Sequence, residues 1–202
     1  MKQPETKGEK LHRELGECLA SNPKGLPYAQ CSRECTEVAY WVLDKGGNEC
    51  FSAQNLKGGQ PFGVKSTGSD GKAKKSWLVC VDEGLVTSQK SNSMARCDNL
   101  LFNDTVFYFV EAKMRVGGDK WKQEFEDAVR NKIPRTKALL DAALGEHGYA
   151  IAQPMGIAVP FPGANSQVPK INSQKEEALR QVARKYAGNW VAKLTLSETV
   201  TL

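Results

Sequence analysis

The chain has 202 residues, of which 40% are hydrophobic and 25% charged, and it carries a formal net charge of +5. This length fits one sizeable domain, or one domain with appendages, whose core needs no disulfide or metal staple. No run approaches the roughly 18 apolar residues of a membrane-spanning helix, and the polar start Met1-Lys2-Gln3-Pro4-Glu5-Thr6-Lys7 lacks the apolar stretch of a secretory leader. The expectation is a cytoplasmic protein with no membrane partner. The mild positive charge suits a polyanion without requiring one.

Residues 8–21 place Leu11, Leu15, Cys18 and Leu19 at helical spacing, which predicts a short amphipathic helix ending near Asn22-Pro23-Lys24-Gly25. With its linker it makes a first unit over 1–28, ahead of a principal domain over 29–202. Residues 29–45 read as a second helix, with Cys31, Cys35, Val38 and Val42 on one stripe and Gly46-Gly47 as its stop. Residues 52–76 hold Gly58, Gly59, Gly63, Gly68 and Gly71, and set Lys57, Lys65, Lys72, Lys74 and Lys75 against a single acid, Asp70. That composition predicts a flexible basic loop or ragged hairpin. Its plain reading is a solvated loop, and its functional reading is a flap that contacts phosphates.

Trp77-Leu78-Val79-Cys80-Val81 predicts a strand buried on both faces. Cys97 to Phe102 and Phe107 to Lys113 follow as the two strands of a hairpin. Residues 118–133 predict a helix with Trp121, Phe125, Val129 and Ile133 on one stripe. Pro134 then breaks it or opens the next helix, 135–144. Residues 149–152 and 156–159 read as one strand or two short ones, 161–171 as a loop, 173–187 as a polar amphipathic helix and 190–200 as a last strand. This order predicts an α/β (α+β) fold with a central mixed sheet flanked by helices. The cysteines at 18, 31, 35, 50, 80 and 97 form no Cys-x-x-Cys pair, and the two histidines, His12 and His147, lie far from them in sequence. They read as free, mostly buried thiols rather than a zinc site.

The central hairpin carries the informative charges. Side chains alternate across a strand, so Phe107, Phe109, Glu111 and Lys113 share one face. If Asn103-Asp104 forms a two-residue turn, Phe102 opposes Thr105, Leu100 opposes Phe107 and Asp98 opposes Phe109. Asp98 then joins the face of Glu111 and Lys113, diagonal to Glu111 at a Cβ separation of roughly 7–8 Å. A three-residue turn would move it to the other face. Ionisable groups beside an apolar core are costly unless something uses them. A divalent cation between Asp98 and Glu111, with the Ala112 carbonyl as a further ligand, is one such user. The chemistry that fits is phosphodiester hydrolysis, with Lys113 orienting or deprotonating the attacking water. The plain alternative is a solvated strand end with incidental charges.

At Asp98…Glu111-Ala112-Lys113 the chain resembles the PD-(D/E)xK nuclease superfamily, whose signature is an aspartate on one hairpin strand and Glu-x-Lys on the next. Here 12 residues lie between Asp98 and Glu111. The resemblance covers roughly residues 30–160, and the one departure is Cys97 where the pattern has proline. It implies a restriction-endonuclease-like fold and a magnesium- or manganese-dependent nuclease acting on nucleic acid, with DNA preferred. It implies Asp98 and Glu111 as metal ligands and Lys113 as the catalytic lysine. An acid from a preceding helix is implied as well, Glu34 ahead of Glu37, together with a glutamine on the following helix, Gln123. Many members form homodimers. The competing classes are a nuclease-fold protein that binds without cutting, and an unrelated α/β interaction module.

Overall fold

The computed structural model describes residues 3–20, 27–43, 61–81, 96–112, 123, 126–145, 149, 151, 155–159, 177, 181, 193–194 and 199–202. Helix α1 (Lys7–Ala20) is followed by a single turn, α2 (Tyr28–Cys31), and by strands β1 (Ser32–Cys35), β2 (Ala39–Leu43), β3 (Pro61–Lys65), β4 (Ser76–Cys80), β5 (Asn99–Phe102) and β6 (Phe107–Ala112). A π-helix (Ala128–Lys132) runs into α3 (Ile133–Leu144), and β7 (Met155–Val159), β8 (Lys193–Leu194) and β9 (Thr199–Thr201) complete the described elements. This is a mixed helix and strand architecture with two sheets.

The larger sheet has six strands in the order β1-β4-β5-β6-β7-β8. Its first four strands pair antiparallel, whereas β6, β7 and β8 pair parallel. The smaller sheet is β2-β3-β9. Alternation along the central strands divides their side chains between two cores. Trp77, Val79, Leu100, Phe102, Phe107 and Phe109 pack with Leu11 and Leu15 of α1 and Ile133, Leu140 and Leu144 of α3. Leu78, Cys80, Leu101, Tyr108 and Val110 pack instead against Tyr40, Val42, Val64 and Val200 of the smaller sheet. Among the described residues, the central sheet is therefore covered by helices on one face and by a second sheet on the other. The leading helix contributes Leu11 and Leu15 to the main core.

The helix expected over 29–45 is instead α2, β1 and β2. Cys31, Cys35, Val38 and Val42 do fall at spacings of three and four, but Val38 is 44% exposed at the bend between two strands. Tyr40 and Val42 point inward at a spacing of two, and an aromatic and β-branched run suits a pleated surface. The single strand expected over 190–200 is two, β8 and β9, which belong to different sheets. Of the strand expected over 149–152, Ile151 lies in a bend and Tyr149 in irregular chain. Pro134 opens the next helix, as the second of the two readings has it: it sits in the first turn of α3, directly after the π-helix. The expected loop over 161–171 lies outside the described residues, and of the helix over 173–187 only Glu177 and Gln181 are described, both helical and exposed.

The β5–β6 turn is centred one residue later than expected. The Asn103 N–H donates to the Val106 carbonyl at 3.0 Å, which leaves Asp104-Thr105 at the tip. The Asn103 Oδ1 accepts from the N–H groups of Thr105 (2.8 Å) and Val106 (3.0 Å) and from the Thr105 hydroxyl (2.9 Å). Asparagine is suited to this because its side chain can stand in for a backbone carbonyl. Phe102 therefore opposes Phe107, and Leu100 opposes Phe109. Moving the centre by one residue shifts the register by two, so every side chain keeps the face that alternation assigns it.

The same turn anchors α1. Thr6 and Glu9 form a capping box, with the Thr6 N–H donating to Glu9 Oε2 (2.9 Å) and the Glu9 N–H to Thr6 Oγ1 (3.3 Å). The Gly8 N–H donates to Asp104 Oδ1 at 2.8 Å, from 96 residues away. Gly8 lies so close to the sheet that a Cβ there would meet Trp77 Cζ3 at 2.1 Å. Asp104→Ala should cost about 1 kcal/mol, the usual worth of a helix cap, and Gly8→Ala should cost more. Chemical denaturation checks both, and an Asp104→Ala protein as stable as wild type would show that the cap contributes nothing.

His12 on α1 lies against Tyr28 (ring centroids 5.1 Å apart) and Trp77 (6.0 Å). Burial lowers its pKa below 6.5, Glu34 opposes that shift and Lys75 adds to it. The folded chain thus binds fewer protons here than the unfolded one. The stability that His12 contributes is complete above its unfolded value of 6.5 and is lost as pH falls below it. Replacing it by Phe should flatten the fall in stability between about pH 7 and pH 5. Identical slopes in the two proteins would exclude His12 as a source.

Candidate metal centre

Glu111 stands near the end of β6 and is 0% exposed. Its Oε1 accepts from Lys132 Nζ at 2.5 Å, and the Lys132 side chain is 19% exposed. The sheet places the carboxylate: Phe107, Phe109 and Glu111 share the helix-covered face, and Glu111 is in register with Ala158 of β7. The π-helix places the ammonium, delivering Lys132 from its last position. Single π turns inside helices recur at functional sites.

Asp98 immediately precedes β5 and is half-buried. The Val81 N–H donates to its carbonyl at 3.0 Å, so the β4–β5 pairing runs one residue past the end of β5. The last pair between β5 and β6 is Asn99 with Val110. Continued by one position, that register would set Asp98, which lies in a bend just before β5, opposite Glu111.

Thr136 ties these parts together. It is fully buried, donates its hydroxyl to the Lys132 carbonyl at 2.8 Å and accepts from the Cys97 N–H at 2.9 Å. One hydroxyl thus fixes the π-helix to the residue before Asp98. Neither Lys132 nor Thr136 is singled out by sequence motif. The signal for both was their spacing: Val129, Lys132, Thr136 and Leu140 follow each other at intervals of three and four, so a lysine stands on an otherwise inward stripe.

The other expected site residues lie elsewhere. Glu34 is on edge strand β1, 46% exposed, and faces Lys75 Nζ at 3.4 Å. It is in register with Trp77, which pairs with Phe102 and so with Phe107. Glu111 lies three strand steps across and four residues along from it, roughly 20 Å away at standard strand spacings. Glu37 sits in the bend between β1 and β2, where its Oε2 accepts from the Thr36 N–H at 3.0 Å. The structure brings neither acid to Glu111. Gln123 is helical and exposed. Of the acids on α1, Glu14 is the one withdrawn from solvent, with its side chain 12% exposed.

Lys65 is exposed on β3 of the smaller sheet, and Lys72 and Lys74 are exposed in the turn that leads into β4. That turn is closed by a Thr67–Ala73 bridge and by Gly71 at φ 75°. It is an ordered excursion between two strands. Lys75 donates to Glu9 at 2.8 Å, which raises its pKa, and stands 6.0 Å over the Trp77 ring. The turn enters the sheet at Ser76, whereas Asp98 meets Val81, about 17 Å further along β4. The described lysines of this segment thus lie at the opposite end of the sheet from Glu111. Lys57 and Lys113 lie outside the described residues.

The donor types fit a hard divalent cation: two carboxylates, with the backbone carbonyl of Ala112 at the end of β6 as a further oxygen. Among the described residues no three His, Cys, Asp or Glu side chains gather to hold a metal. Cys18, Cys31, Cys35, Cys80 and Cys97 carry free thiols. Burial pushes the Cys35 thiol up to about 12, which keeps it protonated and a poor nucleophile. No described helix is long and apolar enough to cross a membrane. Comparison of the chain with family models, with curated proteins and with solved structures finds no match.

Removing the Thr136 hydroxyl leaves the buried Cys97 N–H unpaired, which typically costs about 1–3 kcal/mol. Thr136→Val should lose stability on that scale while Thr136→Ser stays near wild type, as read by denaturant midpoints. Equal loss in both would assign the effect to packing rather than to the hydrogen bonds.

Proposed function

We propose that this protein is a metal-dependent nuclease that hydrolyses phosphodiester bonds, with DNA as the preferred substrate. The observation that carries this reading is the fully buried Glu111 carboxylate on β6, one position beyond the last β5–β6 pair, where Asp98 leads into β5. A buried carboxylate is costly even when paired, and a site that uses the charge is the economical reason for it. The order α1, then antiparallel β4, β5 and β6, then a helix, then β7 parallel to β6 agrees with the element order of the restriction-endonuclease-like fold.

In this reading Asp98 and Glu111 hold magnesium or manganese, joined by the Ala112 carbonyl. The cation supplies Lewis acidity toward the phosphoryl oxygen and toward water. Glu111 and Asp98 orient the reacting groups, and Glu111 is withdrawn from bulk water. Lys113, two residues beyond Glu111, aligns the attacking water and offsets the negative charge that develops on the phosphate. The net charge of +5 favours a polyanionic substrate.

A second reading is a nuclease-fold module that binds nucleic acid without cutting it. The Lys132–Glu111 pair favours it, because an ammonium already occupies one oxygen of the site. Plasmid, single-stranded DNA and RNA incubated with Mg2+ or Mn2+ separate the two. Cleavage should appear with wild type and fall at least about 100-fold in Asp98→Asn, Glu111→Gln and Lys113→Ala, the scale of losing one preorganised charge. Metal-independent binding without cleavage would select the second reading. Cleavage untouched by all three substitutions would refute the assignment.

A further inference from the structure

We propose that Lys132 is a built-in counter-ion of this site: its ammonium stands where a divalent cation would stand beside Glu111, and metal binding displaces it. The proposal rests on the metal-site reading above and adds a residue that the motif does not contain. Glu111 is completely withdrawn from water, so its charge needs a cation within contact distance at all times. Lys132 provides one at 2.5 Å.

Occupancy favours exchange over addition: Lys132 already holds Oε1 of Glu111 at 2.5 Å, an oxygen that a cation at Glu111 would ligate. Lysine suits a displaceable role, because its point charge rides on a long flexible stem, unlike the rigid fork of arginine. The Lys132 side chain is partly exposed, so a route to solvent exists. Its backbone is held by the Thr136 hydroxyl on its carbonyl, so the exchange moves the side chain and leaves the π-helix in place. The released ammonium remains at the mouth of the site, where a substrate phosphate would arrive.

The experiment uses the full chain and Mn2+ as the probe, with two readouts. The first is the Mn2+ dissociation constant, from the resonance of the free ion, for wild type, Lys132→Met and Glu111→Gln. Lys132→Met should bind Mn2+ about tenfold more tightly than wild type, or about 1.4 kcal/mol, and Glu111→Gln should lose the binding. The second is the rate at which Lys132 of the wild-type protein is acetylated, followed by mass spectrometry. Saturating Mn2+ should raise that rate several-fold while lysines distant from the site keep theirs. Mn2+ binding that depends on Glu111, with an unchanged Lys132 acetylation rate, would overturn the exchange and leave the metal site standing. Absence of Glu111-dependent Mn2+ binding in every protein would overturn the metal site itself. Should Lys132→Met not fold, the wild-type acetylation rate decides.

Discussion

The carboxamide of Asn103 is the constraint on which the arrangement depends. By accepting three hydrogen bonds it fixes Asp104-Thr105 as the tip of the β5–β6 hairpin and so fixes the register. That register sends Leu100, Phe102, Phe107, Phe109 and Glu111 to the helix-covered face. The same turn presents Asp104 to the first turn of α1. The placement of Glu111 and the docking of the leading helix therefore share one cause. A one-residue slip would put Glu111 against the smaller sheet and the phenylalanines with it. Next to the turn, Trp77, Phe102 and Phe107 stack in a cross-strand row at 5.5 and 5.4 Å, adding packing to the hydrogen bonds that set the register.

At the other end of the hairpin the sheet carries a cost. A carboxylate and an ammonium taken out of water lose several kcal/mol of hydration each, and their attraction recovers that only with good geometry. Apolar pairs of similar size are often as stable or more so. Stability alone therefore does not account for Glu111 and Lys132. Breaking the pair from one side is a different matter and typically costs about 3–5 kcal/mol, because the remaining charge stays buried. The pair is expensive to keep and expensive to halve. That is the signature of a group retained for its charge, and it makes any second cation at Glu111 a competitor of Lys132.

Much of this was legible in the amino-acid sequence. Strict alternation in Phe107-Tyr108-Phe109-Val110-Glu111 assigns Glu111 to the face of the phenylalanines before any fold is known. The turn is centred one residue later than Asn103-Asp104 suggests, and because such a shift preserves parity the paired residues of β5 and β6 keep their faces. The stretch 29–45 misled because four apolar residues fell at helical intervals while Tyr40 and Val42 held the strand pattern. The smaller sheet was not legible, since its pairing of Gly63 with Thr199 joins segments far apart in the chain. The position of the lysine-rich segment was hidden for a related reason. Nearness in sequence to the hairpin said nothing about which end of β4 the segment enters. Lys132 was hidden because a lysine on a helix is read as solvated unless its neighbours three and four residues away are seen to be buried.

The central claim is that Asp98 and Glu111 share one cation on the helix-covered face of the sheet. Anomalous diffraction from crystals grown in Mn2+ tests it most directly. The account predicts a single strong anomalous peak within coordination distance of a carboxylate oxygen from each residue, with Lys132 Nζ moved off Glu111. Crystals saturated with Mn2+ that show no peak between these carboxylates, and Lys132 still bonded to Glu111, would contradict it.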